Sequence, residues 1–359
     1  MTSLSPAQRR QSTFDRVADL PLVIESYGLE GLKRPWSPEF VRQTTVVRLS
    51  GDGHTGVGED VSYAPADHEA FQAMGPVLPL AGRHTIGSFS GRLDELELFP
   101  VAPKREDART HRRWAFESAA LDLALRQSGL SLAEALDRRC EPVSFVVSMR
   151  LPEPPSAEPV LRRLELYPEL WFKLDVSESW TPSLIERLAA TRAIAIVDFK
   201  AYYYEGLTLT GASDPAQYRL VAEGLPDAWL EDPAFTPELR PVLEEHVARI
   251  TWDAPFGSVE DLAALPVRSS NVNVKPSRFG TLRALLEAYD HLAAKGIRGY
   301  GGGQFELGPG RGQIQYLASL FHPDAPNDVA PLGFHEVRAG LPGSPLAPAP
   351  SSTGFRWSY

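Results

Sequence analysis

The sequence predicts two folding units, an α+β domain at residues 1–140 and a modified TIM (β/α) barrel at residues 141–335. Extended runs followed by one long helical pattern fill the first unit, whereas short apolar runs alternate with helical patterns in the second. Such alternation is typical of a parallel sheet with crossover helices. Charged residues also end four successive apolar runs, at spacings of 33, 22 and 22 residues. One strand and its returning helix take about 30 residues or fewer in a barrel, so these spacings fit successive strands.

Composition and charge limit the class of protein. The apolar content of 43% and the charged content of 23% are ordinary for a soluble globular protein. A formal charge of −10 without a basic stripe argues against nucleic acid as a partner. No leader-like segment opens the chain and no run of 18 apolar residues occurs, so we expect a cytoplasmic protein without a membrane partner. The single cysteine, Cys140, excludes an intramolecular disulfide, and we expect it to be a small buried core residue.

The first domain contains strand patterns followed by a helix. Residues 20–32 and 42–60 have an extended pattern, and the GDG sequence within the second marks a turn. Residues 111–139 carry the strongest helical pattern of the chain. Near its end, Ser131 and Glu134 have the spacing of a capping box that would begin another short helix.

Seven candidate strands follow in the second domain, separated by helical patterns. They are residues 143–149, 170–175, 193–199, 228–231, 249–253, 271–275 and 296–303. A barrel needs an eighth strand, and we expect a short one after Gly308. Residues 336–359 form a tail rich in Pro and Ser, which predicts an extended segment that could pack back on the first domain.

The four charged residues that end apolar runs are Asp198, Glu231, Asp253 and Lys275. Charged residues at the carboxyl ends of different barrel strands converge on one face of the barrel. Single acidic residues at strand ends often cap a helix or face water, but three in succession predict a shared site. Three carboxylates that leave open coordination positions suit Mg²⁺, with Mn²⁺ as a substitute.

Lysines beside this cluster are the candidate catalytic residues. Lys275 follows the inward alternation of its strand and could act as an acid or base, the alternative being a salt bridge to Asp253. Lys173 and Asp175 are two residues apart, so their side chains share one face of a strand. Lys200 could place its ammonium near the carboxylates and partly replace a cation, or it could lie on a solvated loop.

Residues 301–313 form a glycine-rich stretch that contains Glu306. Backbone N–H groups of such loops can bind phosphates, but the stretch lacks the lysine and Ser/Thr of a nucleotide-binding loop. A loop that lines the barrel mouth fits better. None of the eight histidines pairs at metal-ligand spacing, and His322 is only a candidate by its place near the end of the barrel.

These motifs, in this order, resemble the enolase superfamily, and in particular its muconate-lactonizing and o-succinylbenzoate-synthase-like branch. GVGED (56–60) resembles the Gly-x-Gly-Glu turn of that family's N-terminal capping domain. VDFK, WLEDP, TWDAPF and NVNVKPSRFG resemble its third to sixth barrel strands. The resemblance implies an enolase-like fold, a capping domain over a modified barrel, with Mg²⁺ holding a small carboxylate substrate. It also implies abstraction of the proton α to that carboxylate, which gives an enediolate stabilised by the metal.

Three positions depart from that family's pattern. Lys173 matches the first lysine of a Lys-x-Lys motif, but Asp175 occupies the position of the second, catalytic lysine. Lys200 replaces an asparagine, and Ala254 replaces a glutamate that commonly follows Asp253. Because a base on one face is missing, the sequence favours a one-base lyase or isomerase, by syn dehydration or cycloisomerisation, over two-base racemisation. Lys275 would be the base, with Asp175 or Lys200 assisting and Lys173 supporting the substrate carboxylate.

Two alternatives stay open at this stage. The barrel could have lost superfamily chemistry and bind a small molecule, since a fold alone does not determine function. Pairing of Lys200 with the carboxylates, together with an absence of metal binding, would favour that alternative. Lys200 could instead act as an amine nucleophile. Assembly as a homo-oligomer is compatible with a barrel of this type.

Overall fold

The computed structural model describes residues 12–35, 40–202, 214–334 and 336–357. The first domain contains, in chain order, α1 (Asp15–Ala18), β1 (Pro21–Ile24), β2 (Ser26–Pro35), β3 (Val41–Gly51), β4 (His54–Asp60), α2 (Pro65–Met74), β5 (Gly82–Thr85), α3 (Ile86–Asp94), α4 (Ala108–Gln127) and α5 (Leu132–Leu136). The strand, turn and helix predictions for this part are confirmed, and the pattern at 20–32 proves to cover two strands.

A three-stranded antiparallel sheet of β2, β3 and β4 packs against α4, while β1 pairs with β5 in a separate ribbon. Gly56 and Gly58 lie on one face of β4, and a Cβ at either would overlap a carbonyl oxygen of α4. The helix can therefore lie directly on the strand only because both residues are glycine. Ser131 and Glu134 form the predicted capping box at the start of α5.

The barrel follows. It contains β6 (Val146–Arg150), α6 (Glu158–Leu166), β7 (Trp171–Asp175), α7 (Pro182–Thr191), β8 (Ile194–Asp198), α8 (Pro215–Gly224), β9 (Trp229–Glu231), α9 (Arg240–Glu244), a 3-10 turn (Val247–Arg249), β10 (Ile250–Trp252), α10 (Asp261–Ala264), β11 (Asn271–Val274), α11 (Pro276–Phe279), α12 (Leu282–Lys295), β12 (Arg298–Gly301) and α13 (Pro309–Phe321). Strands β6 to β12 pair in sequence order, and every pair is parallel. The predicted (β/α) architecture is confirmed.

The eighth position of the barrel differs from the prediction. The chain enters α13 after Gly308, and no further strand is formed within the described residues. The barrel is closed instead by two isolated parallel bridges, Phe145 with Asn327 and Gly302 with Asp328. A two-residue segment thus joins the last strand to the first.

The side chain of Asn327 explains why so short a segment can close the barrel. Its Oδ1 accepts a hydrogen bond from the Gly301 backbone N at 2.6 Å, and its Nδ2 donates to the Ser144 carbonyl at 2.9 Å. The amide therefore supplies contacts that a strand backbone would otherwise make. His322, a site candidate by sequence, is buried behind it, with Nδ1 2.7 Å from Asn327 Oδ1 and Nε2 3.1 Å from the Tyr289 hydroxyl. It supports barrel closure and does not reach the carboxylate cluster.

The backbone amides of the glycine-rich stretch after β12 bind a carboxylate, which is the side chain of Glu59 in the first domain. Glu59 Oε1 accepts hydrogen bonds from the backbone N of Leu307 and Gly308, at 2.7 and 3.0 Å. Its Oε2 accepts from Gly308 and Gly310, at 3.0 and 2.9 Å. The amides that could have bound a phosphate at the start of α13 are thus occupied by a buried carboxylate, which docks the first domain on the barrel.

Arg42 makes a second connection between the two domains. Its guanidinium is buried and donates hydrogen bonds to the Val61 and Ser62 carbonyls of the first domain, at 2.6 Å each. It also donates to the Gln304 and Phe305 carbonyls of the barrel loop, at 2.8 and 3.2 Å. The first domain is therefore fixed over the mouth of the barrel.

The C-terminal tail runs back from the barrel to α4. The Phe355 backbone N donates to Asp122 Oδ1 at 2.8 Å, and Arg356 Nε donates to Asp122 Oδ2 at 2.7 Å. Cys140 is only partly buried, contrary to expectation, because it lies in the connection between the domains at the edge of the core. In the part of the chain that the structure describes, no helix has the length and apolar character needed to cross a membrane.

Candidate metal centre and active site

Three fully buried carboxylates lie together at the mouth of the barrel. Asp198 ends β8, Glu231 ends β9, and Asp253 directly follows β10. The parallel register sets Asp198 beside Glu231, and β10 continues the same edge of the sheet. One oxygen from each carboxylate lies within 4.8 Å of the others. The three acidic residues predicted to share a site therefore form a group that could hold a metal ion.

The ammonium of Lys173 lies among these carboxylates. Its Nζ forms an ion pair with Glu231 Oε2, and lies 3.3 Å from Asp198 Oδ2 and 3.9 Å from Asp253 Oδ2. A fourth carboxylate oxygen, Oδ2 of Asp328, is 3.6 Å away. Lys173 is buried, since its strand β7 points the side chain into the barrel.

Lys200 contacts the cluster from its outer side. Its Nζ lies 2.5 Å from Asp198 Oδ2 and 3.1 Å from Asp175 Oδ1. Its backbone N donates to Asp198 Oδ1 at 2.9 Å, with φ at +51°, so the chain turns sharply after β8. The side chain is 21% exposed. The solvated-loop alternative for Lys200 is therefore wrong, and the lysine at the centre of the cluster is Lys173.

Lys275 directly follows β11 and reaches the cluster from the opposite side. Its Nζ lies 2.8 Å from Asp253 Oδ2, which is the salt bridge considered from the sequence. Arg278 Nη1 lies 2.8 Å from Asp253 Oδ1, because α11 begins at Pro276 and turns the chain back over the carboxylate. A Cβ at Gly302 would lie 2.8 Å from Lys275 Cε, so the glycine-rich loop packs closely on this lysine.

Asp232 is a site residue that the sequence analysis missed. Its two carboxylate oxygens accept hydrogen bonds from the backbone N of Asp253 and of Ala254, both at 2.8 Å. The carboxyl is fully buried. Asp232 therefore fixes the backbone that carries Asp253. Its place directly after Glu231 was the available signal.

The sequence analysis also missed Tyr300, which contacts Glu231, and Asp328, which contacts Lys173. The Tyr300 hydroxyl donates to Glu231 Oε1 and accepts from Thr251 Oγ1 at 3.1 Å, so it orients Glu231 from below. The alternation of β12 could have pointed Tyr300 inward. Asp328 gave no such signal, because its segment has no strand pattern. Glu306 is buried too, but its Oε1 accepts from the Gln304 backbone N at 2.7 Å within its own loop.

Comparisons with known proteins give the family. The model described as "Domain of unknown function (DUF8230) C-terminal domain" matches residues 139–336, and the corresponding N-terminal domain matches residues 15–135. The chain belongs to the DUF8230 family. No curated protein is significantly similar to it.

Solved structures similar to this DUF8230 chain come from the enolase superfamily. A superfamily member from Listeria innocua is 17% identical, with 86% of each chain covered and a TM-score of 0.60. A probable mandelate racemase from Alicyclobacillus acidocaldarius is 20% identical, with 86% of each chain covered and a TM-score of 0.61. The muconate lactonizing enzyme from Pseudomonas putida is 20% identical, with 86% of this chain and 88% of that chain covered and a TM-score of 0.60. At these identities the matches establish the fold, so the resemblance to the enolase superfamily is confirmed at that level.

The three lysines of the DUF8230 chain differ in their proton affinity. Burial lowers the pKa of Lys275, and the charges of Arg278 and Lys173 lower it further against the opposing effect of Asp253. Burial alone would also lower the pKa of Lys173, but Glu231 and Asp198 outweigh it and raise that pKa well above the usual value. The pKa of Lys200 is raised as well, because Asp198 and Asp175 outweigh its burial. The surroundings of Lys173 and Lys200 therefore favour the ammonium, whereas those of Lys275 favour loss of its proton.

The donor atoms and charges of the DUF8230 site fit a divalent cation. Magnesium is bound by oxygen ligands at about 2 Å, so oxygens on opposite sides of the ion lie about 4 Å apart. The three carboxylate oxygens lie within 4.8 Å of one another, which is close to that spacing. The cluster contains six carboxylates and four cationic side chains, which leave a formal charge of −2 when all are ionised. They are Asp175, Asp198, Glu231, Asp232, Asp253 and Asp328, with Lys173, Lys200, Lys275 and Arg278.

Proposed function

We propose that this chain is a Mg²⁺-dependent lyase or isomerase that abstracts the proton α to the carboxylate of a small substrate. The observation that carries the proposal is the buried group of Asp198, Glu231 and Asp253, with Lys275 Nζ 2.8 Å from the last. A bound Mg²⁺ would hold the substrate carboxylate and stabilise the negative charge that develops on it. Muconate and mandelate, which give two of the structural relatives their names, are small carboxylates and support this substrate class.

Lys275 would be the general base. A lysine must be neutral before it accepts a proton, and burial with nearby cations favours the neutral amine of Lys275. Arg278 holds the other oxygen of Asp253, so this carboxylate is oriented from two sides. After the transfer, the new ammonium of Lys275 would be stabilised by Asp253, and it could return the proton to a leaving group on the same face.

Asp175 and Lys200 lie across the site from this base. Asp175 ends the second strand of the barrel and Lys200 lies just after the third, whereas Lys275 follows the sixth, so they occupy the far side of an eight-position ring. The pKa of Lys200 is raised, and its ammonium is held by Asp175 and Asp198. A second neutral lysine is therefore lacking on that side, and the Asp175 carboxylate there is paired with Lys200. This supports a one-base syn dehydration or cycloisomerisation, in which Lys200 would neutralise developing charge.

The experiment is a screen of small carboxylates for exchange of the α proton in D₂O, followed by NMR, with and without Mg²⁺. The proposal predicts exchange that needs the metal and that Lys275→Ala abolishes. Lys295→Ala, which removes an exposed lysine at the end of α12, is the matched control and should exchange at the normal rate. Exchange that persists in Lys275→Ala would remove Lys275 from the mechanism.

A barrel without superfamily chemistry is the second candidate function. The observation that favours it is the pairing of Lys200 with Asp198 and Asp175, together with Lys173 among the three carboxylates. Calorimetric titration of Mg²⁺ into chelator-stripped protein separates the two candidates, with Glu231→Gln as a control. Saturable binding that this substitution removes supports the enzyme. The third alternative, Lys200 as an amine nucleophile, is disfavoured because its raised pKa keeps the amine protonated.

A further inference from the structure

Lys173 occupies the space in which a cation bound to the three carboxylates would have to lie. Its Nζ contacts Glu231 Oε2 directly and lies 3.3 Å from Asp198 Oδ2. The third carboxylate, Asp253, has its Oδ2 at 3.9 Å. An ion bound by the same oxygens would be only a few ångströms from this ammonium, where two positive charges in a buried site repel each other strongly. The ammonium and a divalent cation therefore compete for the carboxylates.

The side chain of Lys173 has a second partner outside the group. Asp328 Oδ2 lies 3.6 Å from Nζ on the short segment that closes the barrel, and its side chain is 22% exposed. The backbone of Lys173 is held between Ser148 and Ile196 on the neighbouring strands, so only its flexible side chain can move. A small displacement toward Asp328 would vacate the centre and keep the ammonium paired.

We propose that Lys173 is an internal counter-cation, which fills the carboxylate group when no divalent cation is bound and moves to Asp328 when one binds. The inference rests on the proposed metal-dependent function, and it adds which residue neutralises the carboxylates when no metal is bound. The formal charge of −2 already includes the Lys173 ammonium, so the cluster keeps an excess of negative charge that a divalent ion would neutralise. Lys173 thereby weakens the affinity for the metal while it prevents repulsion among the carboxylates in its absence.

The test is calorimetric titration of Mg²⁺ and Mn²⁺ into the full chelator-stripped chain and two variants. Lys173→Met removes the competing charge at similar volume and is expected to bind Mg²⁺ at least 10-fold more tightly. Its apo form should melt at a lower temperature and recover on addition of metal. Asp328→Asn leaves Lys173 without its second partner and is expected to bind Mg²⁺ at least 3-fold more weakly. Lys295→Met is the control and should bind like the natural chain.

The outcomes separate this inference from the proposed function. If the natural chain binds Mg²⁺ and Lys173→Met binds equally or less tightly, the metal site stands and the counter-cation is refuted. If only Lys173→Met binds, the counter-cation is supported in its strongest form and the metal-dependent function of the natural chain fails. If neither folded protein binds, both fail. Should Lys173→Met not fold without metal, the Asp328→Asn variant decides, because normal affinity in that variant overturns the proposal.

Discussion

Acidification is expected to destabilise the fold through two buried histidines, His111 and His322. Burial lowers the pKa of each to about 4 from the usual value near 6.5. At pH 5 both are neutral in the folded chain, whereas the unfolded chain binds a proton at each. Since the unfolded state binds more protons between about pH 6.5 and pH 4, the free energy of unfolding falls as the pH falls through that window.

The size of the effect follows from the two pKa values. The difference corresponds to about 3 kcal/mol for each histidine once the pH is below 4. About 2 kcal/mol for each is already lost between pH 7 and pH 5. The two histidines together should therefore remove about 4 kcal/mol by pH 5, a large part of the roughly 5–15 kcal/mol of a typical domain.

Urea unfolding at pH 7, 6 and 5, followed by circular dichroism, measures this loss in the natural chain and in two variants. His322→Gln can keep a hydrogen bond to Asn327 and should reduce the loss between pH 7 and pH 5 by about 2 kcal/mol. The ring nitrogens of His111 have no hydrogen-bond partner within the described residues, so His111→Leu should flatten the pH dependence at little cost at pH 7.

The control is His54→Gln, because His54 is exposed at the turn between β3 and β4. It should keep the pH dependence of the natural chain. The reasoning is refuted if both core variants show the same pH dependence as the natural chain between pH 7 and pH 5. That result would mean that the two rings bind protons inside the folded chain.

The fold and the site give three further expectations. Gly58→Ala should destabilise the chain by about 1–3 kcal/mol in urea unfolding, since its Cβ would overlap the Ala115 carbonyl oxygen. Arg112→Met should cost about 3–5 kcal/mol in the same assay, because it leaves Asp60 buried without its partner at 2.8 Å; a cost below 1 kcal/mol would contradict this. Asp232→Asn should weaken Mg²⁺ binding in calorimetry by about 10-fold to 100-fold, because one of the two amides that orient Asp253 loses its acceptor. Unchanged affinity would show that the backbone holds Asp253 without Asp232.

Short-range sequence patterns were sufficient for the barrel strands. Each strand is an apolar run of a few residues, and its buried side chains require that pattern whatever the partner. The carboxyl-terminal position of Asp198, Glu231 and Asp253 then placed them on one face. The closing segment could not be predicted in this way, because two bridges and the amide of Asn327 replace a strand there. A segment does not need an apolar run where a side chain, here that of Asn327, makes the hydrogen bonds of a strand backbone.

Contacts between distant segments were beyond the sequence patterns. The alternation of β7 directs Lys173 inward but does not say that its ammonium reaches Glu231. The glycine-rich stretch was expected to line the barrel mouth, but the pattern does not say that its backbone amides bind the Glu59 carboxylate, which lies about 250 residues earlier in the chain. In both cases the local geometry follows from residue type, whereas the partner is set by how the two domains dock.

The departures of this site from the enolase superfamily pattern compensate one another in charge. Aspartate at 175 in place of lysine makes the site more negative by two charges. Lysine at 200 in place of asparagine restores one, and Ala254 in place of glutamate restores the other. The first two also meet in space, with Lys200 Nζ 3.1 Å from Asp175 Oδ1. Buried charges must be paired in any such cluster, but pairing alone does not require that the net charge of the site equal that of the superfamily pattern. A constant total is expected where the cluster must still balance a cation of fixed charge, and it therefore supports a site that binds a divalent metal.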